Sequence, residues 1–133
     1  MQVLRDIQAI QAMPAGELRG LIQQSAEQLL SQFEPGEYAL EELGRYLVVE
    51  PGDALAAIDE ALGFAILSNR WDGTRWCDAG FTPSWETVEA HPGWFELVYM
   101  QGQDGSGVTV FVSRNANTHP ELSEMCQRYA LAQ

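Results

Sequence analysis

The spacing of apolar residues changes at about residue 64, and this change constrains the fold more than any other feature of the chain. Before this point apolar residues recur every three or four positions, as in amphipathic helices. After it, short runs of aromatic and β-branched residues are separated by turn residues, as in strands. Helices followed by a small sheet predict an α+β fold with a mostly antiparallel sheet and with the helices gathered against one face of it.

Residues 1–63 are predicted to be helical. The clearest helix covers residues 15–33 and ends at Pro35-Gly36, a shorter helix precedes it, and a third stripe runs on from Ala39. A fourth helix follows Asp53, its predicted N-cap, and ends at Gly63. The stripes consist of Val3, Ile7 and Ile10; of Leu18, Leu21, Ile22, Leu29, Leu30 and Phe33; of Leu43, Tyr46 and Leu47; and of Leu55, Ile58 and Leu62.

Residues 64–133 are predicted to form the sheet and a C-terminal helix. Two runs, 94–101 and 107–113, are rich in aromatic and β-branched residues and flank a turn at 103–106. They predict a β-hairpin whose central strand is apolar on both faces. The last helix begins near Pro120 and carries one apolar stripe, which consists of Leu122, Met125, Cys126 and Tyr129.

Other segments of this half carry weaker signals. Residues 64–67 indicate a short buried strand, and Asp72-Gly73 between two tryptophans indicates a two-residue hairpin turn, with a second turn at 78–80. Residues 84–90 fit either a strand or a helical turn, and both alternatives stay open. Because 133 residues is the length of one domain, we expect a single α+β domain over residues 1–133.

The charge of the chain excludes several functions. Nineteen acidic residues stand against seven basic ones, all arginine, so the formal net charge is -12. Without lysine the chain has no Schiff-base residue and no P-loop lysine, and its negative field repels the phosphates of nucleic acids. The acidic residues are densest in the first half, where a basic protein or a cation would meet Glu34, Glu37, Glu41, Glu42, Glu50 and Asp53.

The sequence also bears on cellular location. No apolar run approaches the roughly 20 residues of a membrane-spanning helix. The two cysteines, Cys77 and Cys126, are too few for a disulfide framework, which suits a reducing compartment. We therefore expect a cytoplasmic protein that binds no membrane.

Known catalytic and metal-binding motifs are missing from the sequence. The two histidines, His91 and His119, and the two cysteines lack the spacing of zinc ligands, and Cys126 falls on an apolar stripe, where a buried thiol is expected. Acidic pairs such as Asp59 with Glu60 fall at predicted surface positions of a helix, which do not raise the pKa of a carboxyl group. We therefore expect no catalytic residue, no metal and no cofactor, and an enzyme is the less favoured interpretation.

One segment that is rich in arginine and tryptophan, residues 69–85, is the best candidate for a binding surface. Arginines interleaved with tryptophans on a tight turn offer flat apolar area, cation–π partners and bidentate donors, which binding hot spots favour. The alternative is that the tryptophans pack under the hairpin as a satellite core with the arginines stacked on them. The candidate binding residues are Arg70, Trp71, Asp72, Arg75, Trp76, Cys77, Asp78 and Trp85.

Four strings in the second half resemble short uncharacterised proteins carried by plasmids and integrative mobile elements. The strings are Arg70-Trp-Asp-Gly, Phe81-Thr-Pro-Ser-Trp, His91-Pro-Gly-Trp-Phe-Glu-Leu-Val-Tyr and His119-Pro-Glu-Leu-Ser-Glu-Met-Cys. The resemblance covers roughly residues 64–130. It implies a bacterial accessory protein, and it implies no activity and no functional residue.

Three functions agree with these features. The first is a non-enzymatic accessory protein that binds another protein, basic or DNA-binding, through the aromatic turn and the acidic helices, with mimicry of the charge of DNA as a sharper form. The second is a binder or enzyme for a small anionic ligand, with Arg70 and Arg75 holding the anion and Cys77 or Asp78 near the reacting atom. The third is a homo-oligomer whose exposed aromatic residues form its own interface.

Overall fold

A computed structural model describes residues 1–62, 67, 71–72, 86–100, 107–115 and 117–132, and these residues form an α+β structure. The fold class predicted from the sequence is therefore confirmed. The described elements, in chain order, are β1 (Gln2–Leu4), α1 (Ile7–Gln11), α2 (Glu17–Leu30), α3 (Leu40–Leu43), β2 (Gly44–Val48), α4 (Leu55–Leu62), β3 (Glu86–Ala90), β4 (Trp94–Met100), β5 (Gly107–Ser113) and α5 (Pro120–Ala132).

The five described strands form one sheet in the order β1-β2-β5-β4-β3. The pairing of β2 with β5 is parallel, and the other three pairings are antiparallel, so the sheet is mostly antiparallel as predicted. The predicted hairpin is present as β4 and β5, and β5 is the central strand, buried on both faces. Of the residues 84–90, for which the sequence left a strand and a helical turn open, residues 86–90 are a strand, and residues 84 and 85 lie outside the described residues.

Helices cover both faces of the sheet, so the prediction that they gather against one face is wrong. Successive residues of a strand point to opposite faces, and residues 46–48 of β2 and 108–112 of β5 are all buried, so both faces of these strands are covered. On the first face, here called the α4/α5 face, the buried cluster contains Leu47, Ile58, Leu62, Phe95, Leu97, Val108, Val110, Val112, Leu122, Met125 and Cys126. On the second, the α1/α2 face, it contains Leu4, Ile10, Met13, Ile22, Ala26, Leu40, Tyr46, Val48 and Phe111.

Two strands lie in the half of the chain that was predicted to be helical, so residues 1–63 are not a separate helical part. Leu43, Tyr46 and Leu47 have helical spacing, but the helix that begins at Leu40 ends at Gly44 and the chain continues as β2. Residues 46–49 are four consecutive buried apolar residues, as expected for a strand covered on both faces. A run this short fits a helix and a strand equally well by spacing alone.

The first apolar stripe is divided between β1 and α1. Val3 and Ile7 are exposed and Ile10 is buried, so the three residues do not share a helical face. The helix begins after Asp6, whose carboxylate accepts a hydrogen bond of 2.7 Å from the backbone N–H of Ala9. This arrangement is an N-cap that supports a helix start at this point.

Asp53 does not act as the N-cap that the sequence predicts for α4. Its carboxylate accepts hydrogen bonds from the backbone N–H of Glu50, at 2.8 Å, and from the amino group of Met1, at 3.2 Å. The side chain therefore closes the turn before the helix. The first backbone bonds of α4 are accepted by the carbonyl oxygen of Ala54.

No helix in the described ranges is both long enough and apolar enough to cross a membrane.

Candidate functional site

The structure describes two of the eight residues predicted to form a binding surface. Trp71 is half-buried and packs against the core of the α4/α5 face, and its neighbour Asp72 is exposed. The other six, Arg70, Arg75, Trp76, Cys77, Asp78 and Trp85, lie outside the described residues. The predicted turns at 72–73, 78–80 and 103–106 and the stop at Gly63 also extend outside them.

A cleft of about 330 Å³ lies between α2 and the α1/α2 face of the sheet. This volume falls within the range of about 300–1,000 Å³ that is usual for small-molecule sites. Its walls combine apolar side chains with hydroxyl, amide and carboxyl groups. The residues that line it are Ser25, Gln28, Leu29, Gln32, Leu43, Gly44, Arg45, Tyr46, Glu96, Val98, Gly107, Val108 and Thr109.

The regular spacing of the helix and the register of the strands bring these residues together. On α2 they occupy positions 25, 28 and 29, which lie on one helical face, and Gln32 follows in the turn after the helix. Across the sheet, Tyr46 of β2 is opposite Thr109 of β5, and Thr109 is opposite Val98 of β4. Glu96 lies two residues from Val98 and therefore points to the same face. The cleft thus depends on three neighbouring strands and on α2, with Leu43 contributed by the end of α3.

Two hydroxyl groups meet in this cleft. The hydroxyl oxygens of Ser25 and Tyr46 are 3.1 Å apart and share a hydrogen bond. Burial raises the pKa of the Tyr46 phenol, the negative charge of Glu96 also acts to raise it, and the hydrogen bond with Ser25 offsets part of the rise. The phenol therefore stays protonated, so it is available as a hydrogen-bond donor to a guest molecule or to Ser25.

Glu96 supplies the carboxyl group of the cleft. Its Oε1 lies 3.1 Å from Nε2 of His91, and its side chain is 14% exposed. Burial raises the pKa of the Glu96 carboxyl group, the nearby charge of Glu89 adds to the rise, and the hydrogen bond to His91 offsets part of it. A half-buried carboxyl group with a raised pKa in a cleft is a typical feature of functional sites.

A third ionisable side chain completes a cluster at the rim of the cleft. An oxygen of Glu89 lies 3.9 Å from Nε2 of His91, and one ligand atom from each of Glu89, His91 and Glu96 lies within 4.8 Å of the other two. Glu89 and Glu96 are directly opposite each other in the antiparallel pairing of β3 with β4. We call these three residues the Glu-His-Glu cluster. An imidazole and two carboxylates are groups that bind zinc and related divalent cations.

Contacts from two other elements hold the turn between β3 and β4 that carries His91. The backbone N–H of Gly93 donates to Oε1 of Glu17, at the start of α2, over 3.0 Å. The guanidinium of Arg114, just after β5, donates to the carbonyl oxygen of His91 over 2.7 Å, and its carbon Cζ lies 5.2 Å from the centre of the Phe95 ring. The imidazole therefore projects from a turn that is fixed on both sides.

Sequence reasoning missed both the cleft and the cluster. The signal for the cluster was present: Glu89 and His91 are two residues apart in an extended segment, and a turn at 91–94 brings residue 96 opposite residue 89. Reading it required residues 86–90 to be a strand, which the sequence left open. The spacing of zinc ligands among histidines and cysteines includes no carboxylate, so it does not indicate this cluster.

Two expectations about individual side chains have different outcomes. Cys126 is buried as expected, and burial raises the pKa of its thiol to about 12, so it is a poor nucleophile. The helical pattern predicts a surface position for Asp59, but the structure shows that its side chain is buried. Its Oδ1 accepts a hydrogen bond of 2.9 Å from the backbone N–H of Leu67. This bond explains a carboxylate on the inner face of α4, because it satisfies a buried backbone donor.

Comparisons with known proteins add no relative to this description. No family model matches the chain, and the searches of curated proteins and of solved structures found no match.

Proposed function

We propose that the protein binds a small organic cation in the cleft between α2 and the sheet. The observation that carries this proposal is the position of Glu96, a largely buried carboxyl group on a wall that, apart from Arg45, otherwise consists of apolar and neutral polar side chains. A ligand with an apolar body and an amino group fits these walls. The apolar part would lie against Leu29 and Val98, and the amino group would reach Glu96.

The charge of the rest of the molecule favours a cation in this cleft over an anion. With a formal net charge of -12 the protein attracts cations over its whole surface. Arg45, the basic residue of the lining, directs its guanidinium to the carbonyl oxygens of Ala61 and Leu62, at 2.9 and 3.1 Å. The guanidinium of Arg45 therefore interacts with the C-terminal end of α4. This differs from the anionic ligand that the sequence suggested for Arg70 and Arg75.

Three probes that share a phenyl ring and differ in charge test the proposal. We expect 2-phenylethylamine to bind about tenfold or more tightly than phenylacetate, with neutral 2-phenylethanol in between, because a half-buried carboxylate interacts with a unit charge by several kcal/mol at about 4 Å. Isothermal titration of the full chain with each probe measures the series. Substitution Glu96→Gln should remove the preference for the amine and leave the affinity for the alcohol unchanged.

Glu60→Gln is the matched control, since it removes the same charge from an exposed position on α4. It should leave the preference for the amine intact. Equal affinities for the three probes, no binding of the amine, or an equal loss in Glu60→Gln and Glu96→Gln would each contradict the proposal.

A second candidate function is the binding of a basic protein at the segment between α2 and α3. Tyr38 is 43% exposed and its ring packs edge-on against Phe33, with 4.9 Å between ring centres. Exposed carboxylates surround it in the sequence, and among the described residues none of them pairs with an arginine. They belong to Glu34, Glu37, Glu41 and Glu42. A cytoplasmic accessory protein of a bacterial mobile element would use such a surface to hold, and as a mimic of DNA to block, a basic partner.

The second candidate predicts salt-sensitive binding of an arginine-rich peptide that depends on Tyr38. The substitution Tyr38→Ala should lower the affinity for the peptide by about tenfold or more at about 0.1 M salt, because an exposed aromatic ring often contributes much of the binding energy of an interface. Fluorescence anisotropy of a labelled peptide measures the affinity of each variant. An exposed apolar residue elsewhere, changed in Val3→Ala, is the control. Equal affinity of wild type and Tyr38→Ala would show general attraction by a negative surface and no binding site.

A further inference from the structure

We propose that Glu89, His91 and Glu96 form a binding site for a divalent transition-metal cation, of the zinc or cobalt type, at the rim of the cleft. The Glu-His-Glu cluster offers two carboxylate oxygens and one imidazole nitrogen from a single hairpin. This proposal does not rest on the organic ligand proposed above, because the cluster offers its three ligand atoms without a guest in the cleft. Both proposals use the carboxyl group of Glu96, so the metal ion and the amino group of a guest would compete for it.

The distances within the cluster suit a small cation. Metal bonds of about 2.0–2.2 Å place neighbouring ligand atoms of a tetrahedral site about 3.3 Å apart. Nε2 of His91 is 3.1 Å from Glu96 and 3.9 Å from Glu89. Movements of a few tenths of an ångström would bring all three atoms to metal-bonding distance. The side chain of Glu89 is 63% exposed and that of His91 is 22% exposed, so a cation can enter from solvent.

Sheet geometry gives an independent reason for a cation at this place. Like charges that are directly opposite in an antiparallel pair repel each other and destabilise the sheet. Glu89 and Glu96 form such a pair, and His91 lies between them at the end of the hairpin. A divalent cation bound to both carboxylates would offset their repulsion and would link β3 to β4.

Arg114, which contacts the hairpin, leaves this face of it open to a cation. Arg114 bonds to the backbone carbonyl of His91, but its guanidinium lies over the ring of Phe95. Phe95 belongs to the α4/α5 face and Glu96 to the opposite one, because adjacent residues of a strand alternate. The positive charge of Arg114 therefore lies across the sheet from the carboxylates.

Titration of the full chain with Co²⁺ tests the site, because the protein contains only two histidines. We expect one equivalent of Co²⁺ to shift and broaden the ring proton signals of His91 in ¹H NMR spectra, to give a visible absorption band and to be displaced by Zn²⁺. His119 is an internal reference, since it is buried and its Nε2 is 2.7 Å from the carbonyl oxygen of Asp53. His91→Gln should abolish the absorption band, and Glu89→Gln should lower the affinity for Co²⁺ by about tenfold or more.

Glu60→Gln controls for the loss of one negative charge at an exposed position of α4 and should bind Co²⁺ as the wild type does. Circular dichroism confirms that each variant is folded. Glu89 is exposed, so Glu89→Gln keeps the test valid if His91→Gln does not fold. If Co²⁺ leaves the signals of His91 unchanged, or if Glu89→Gln and Glu60→Gln bind it equally, the three residues are only a hydrogen-bonded cluster that holds the turn.

Discussion

Phe111→Ala is expected to lower the free energy of unfolding by about 3–5 kcal/mol. The Phe111 side chain is fully buried in the middle of β5, the central strand. It lies between Val48 and Glu96 in the register of the sheet, and its ring centre is 6.4 Å from that of Tyr46. Its removal would leave a cavity beneath the helices of the α1/α2 face. Denaturant unfolding followed by circular dichroism measures the loss.

Ile7→Ala is the control for this experiment, since Ile7 is apolar but exposed. It should cost about 1–2 kcal/mol, less than Phe111→Ala, because 37% of the residue stays exposed to water in the folded protein. If Phe111→Ala lowers the free energy of unfolding by less than about 1 kcal/mol, β5 is not covered on the α1/α2 face. The packing of α1 and α2 on this face of the sheet would then be contradicted.

Gly44→Ala is expected to destabilise the protein by about 1–3 kcal/mol and to disturb the cleft. Gly44 begins β2 and is opposite Gly107 of β5 in the parallel pairing, and both residues line the cleft. A Cβ atom at position 44 would lie 2.8 Å from the carbonyl oxygen of Gly107. Because that oxygen belongs to the backbone, the strands themselves would have to move apart. Thermal unfolding measures the loss.

Gly20→Ala provides the matched glycine replacement. Gly20 lies inside α2, and a Cβ there would have no neighbour within 4 Å. We expect this variant to be more stable than the wild type by about 0.5–1 kcal/mol, because alanine loses less backbone entropy in a helix than glycine does. If Gly44→Ala is as stable as the wild type while Gly20→Ala behaves as expected, the parallel pairing of β2 with β5 is incorrect at this position.

The parts of the fold that the sequence predicted are those with long periodic patterns. Helix α2 has six apolar residues at helical spacing, and the hairpin of β4 and β5 has long runs of β-branched and aromatic residues, so neither has a competing interpretation. Strand β2 has only five residues, and its side chains match helical spacing by chance. The parallel pairing with β5 joins residues about 60 positions apart, which no local pattern can indicate.

The site was harder to predict than the fold because it depends on register. Tyr46 and Glu96 carry no motif, and they share a cleft only because β2, β5 and β4 are adjacent in the sheet. Glu89 and Glu96 become partners only once the turn between them is placed. The segment with Arg70 and Trp71 is a candidate from the sequence because its composition is unusual. Composition can be seen without knowing which strands pair.

The location of the bound amine tests the central claim most directly, namely that the cleft between α2 and the sheet is a ligand site. Titration of ¹⁵N-labelled protein with 2-phenylethylamine should shift the backbone amide signals of Ser25, Tyr46, Glu96 and Thr109, which lie on four different elements and meet only at this cleft. Shifts confined to residues 69–85, or distributed over the acidic surface without a cluster at these four positions, would contradict the claim.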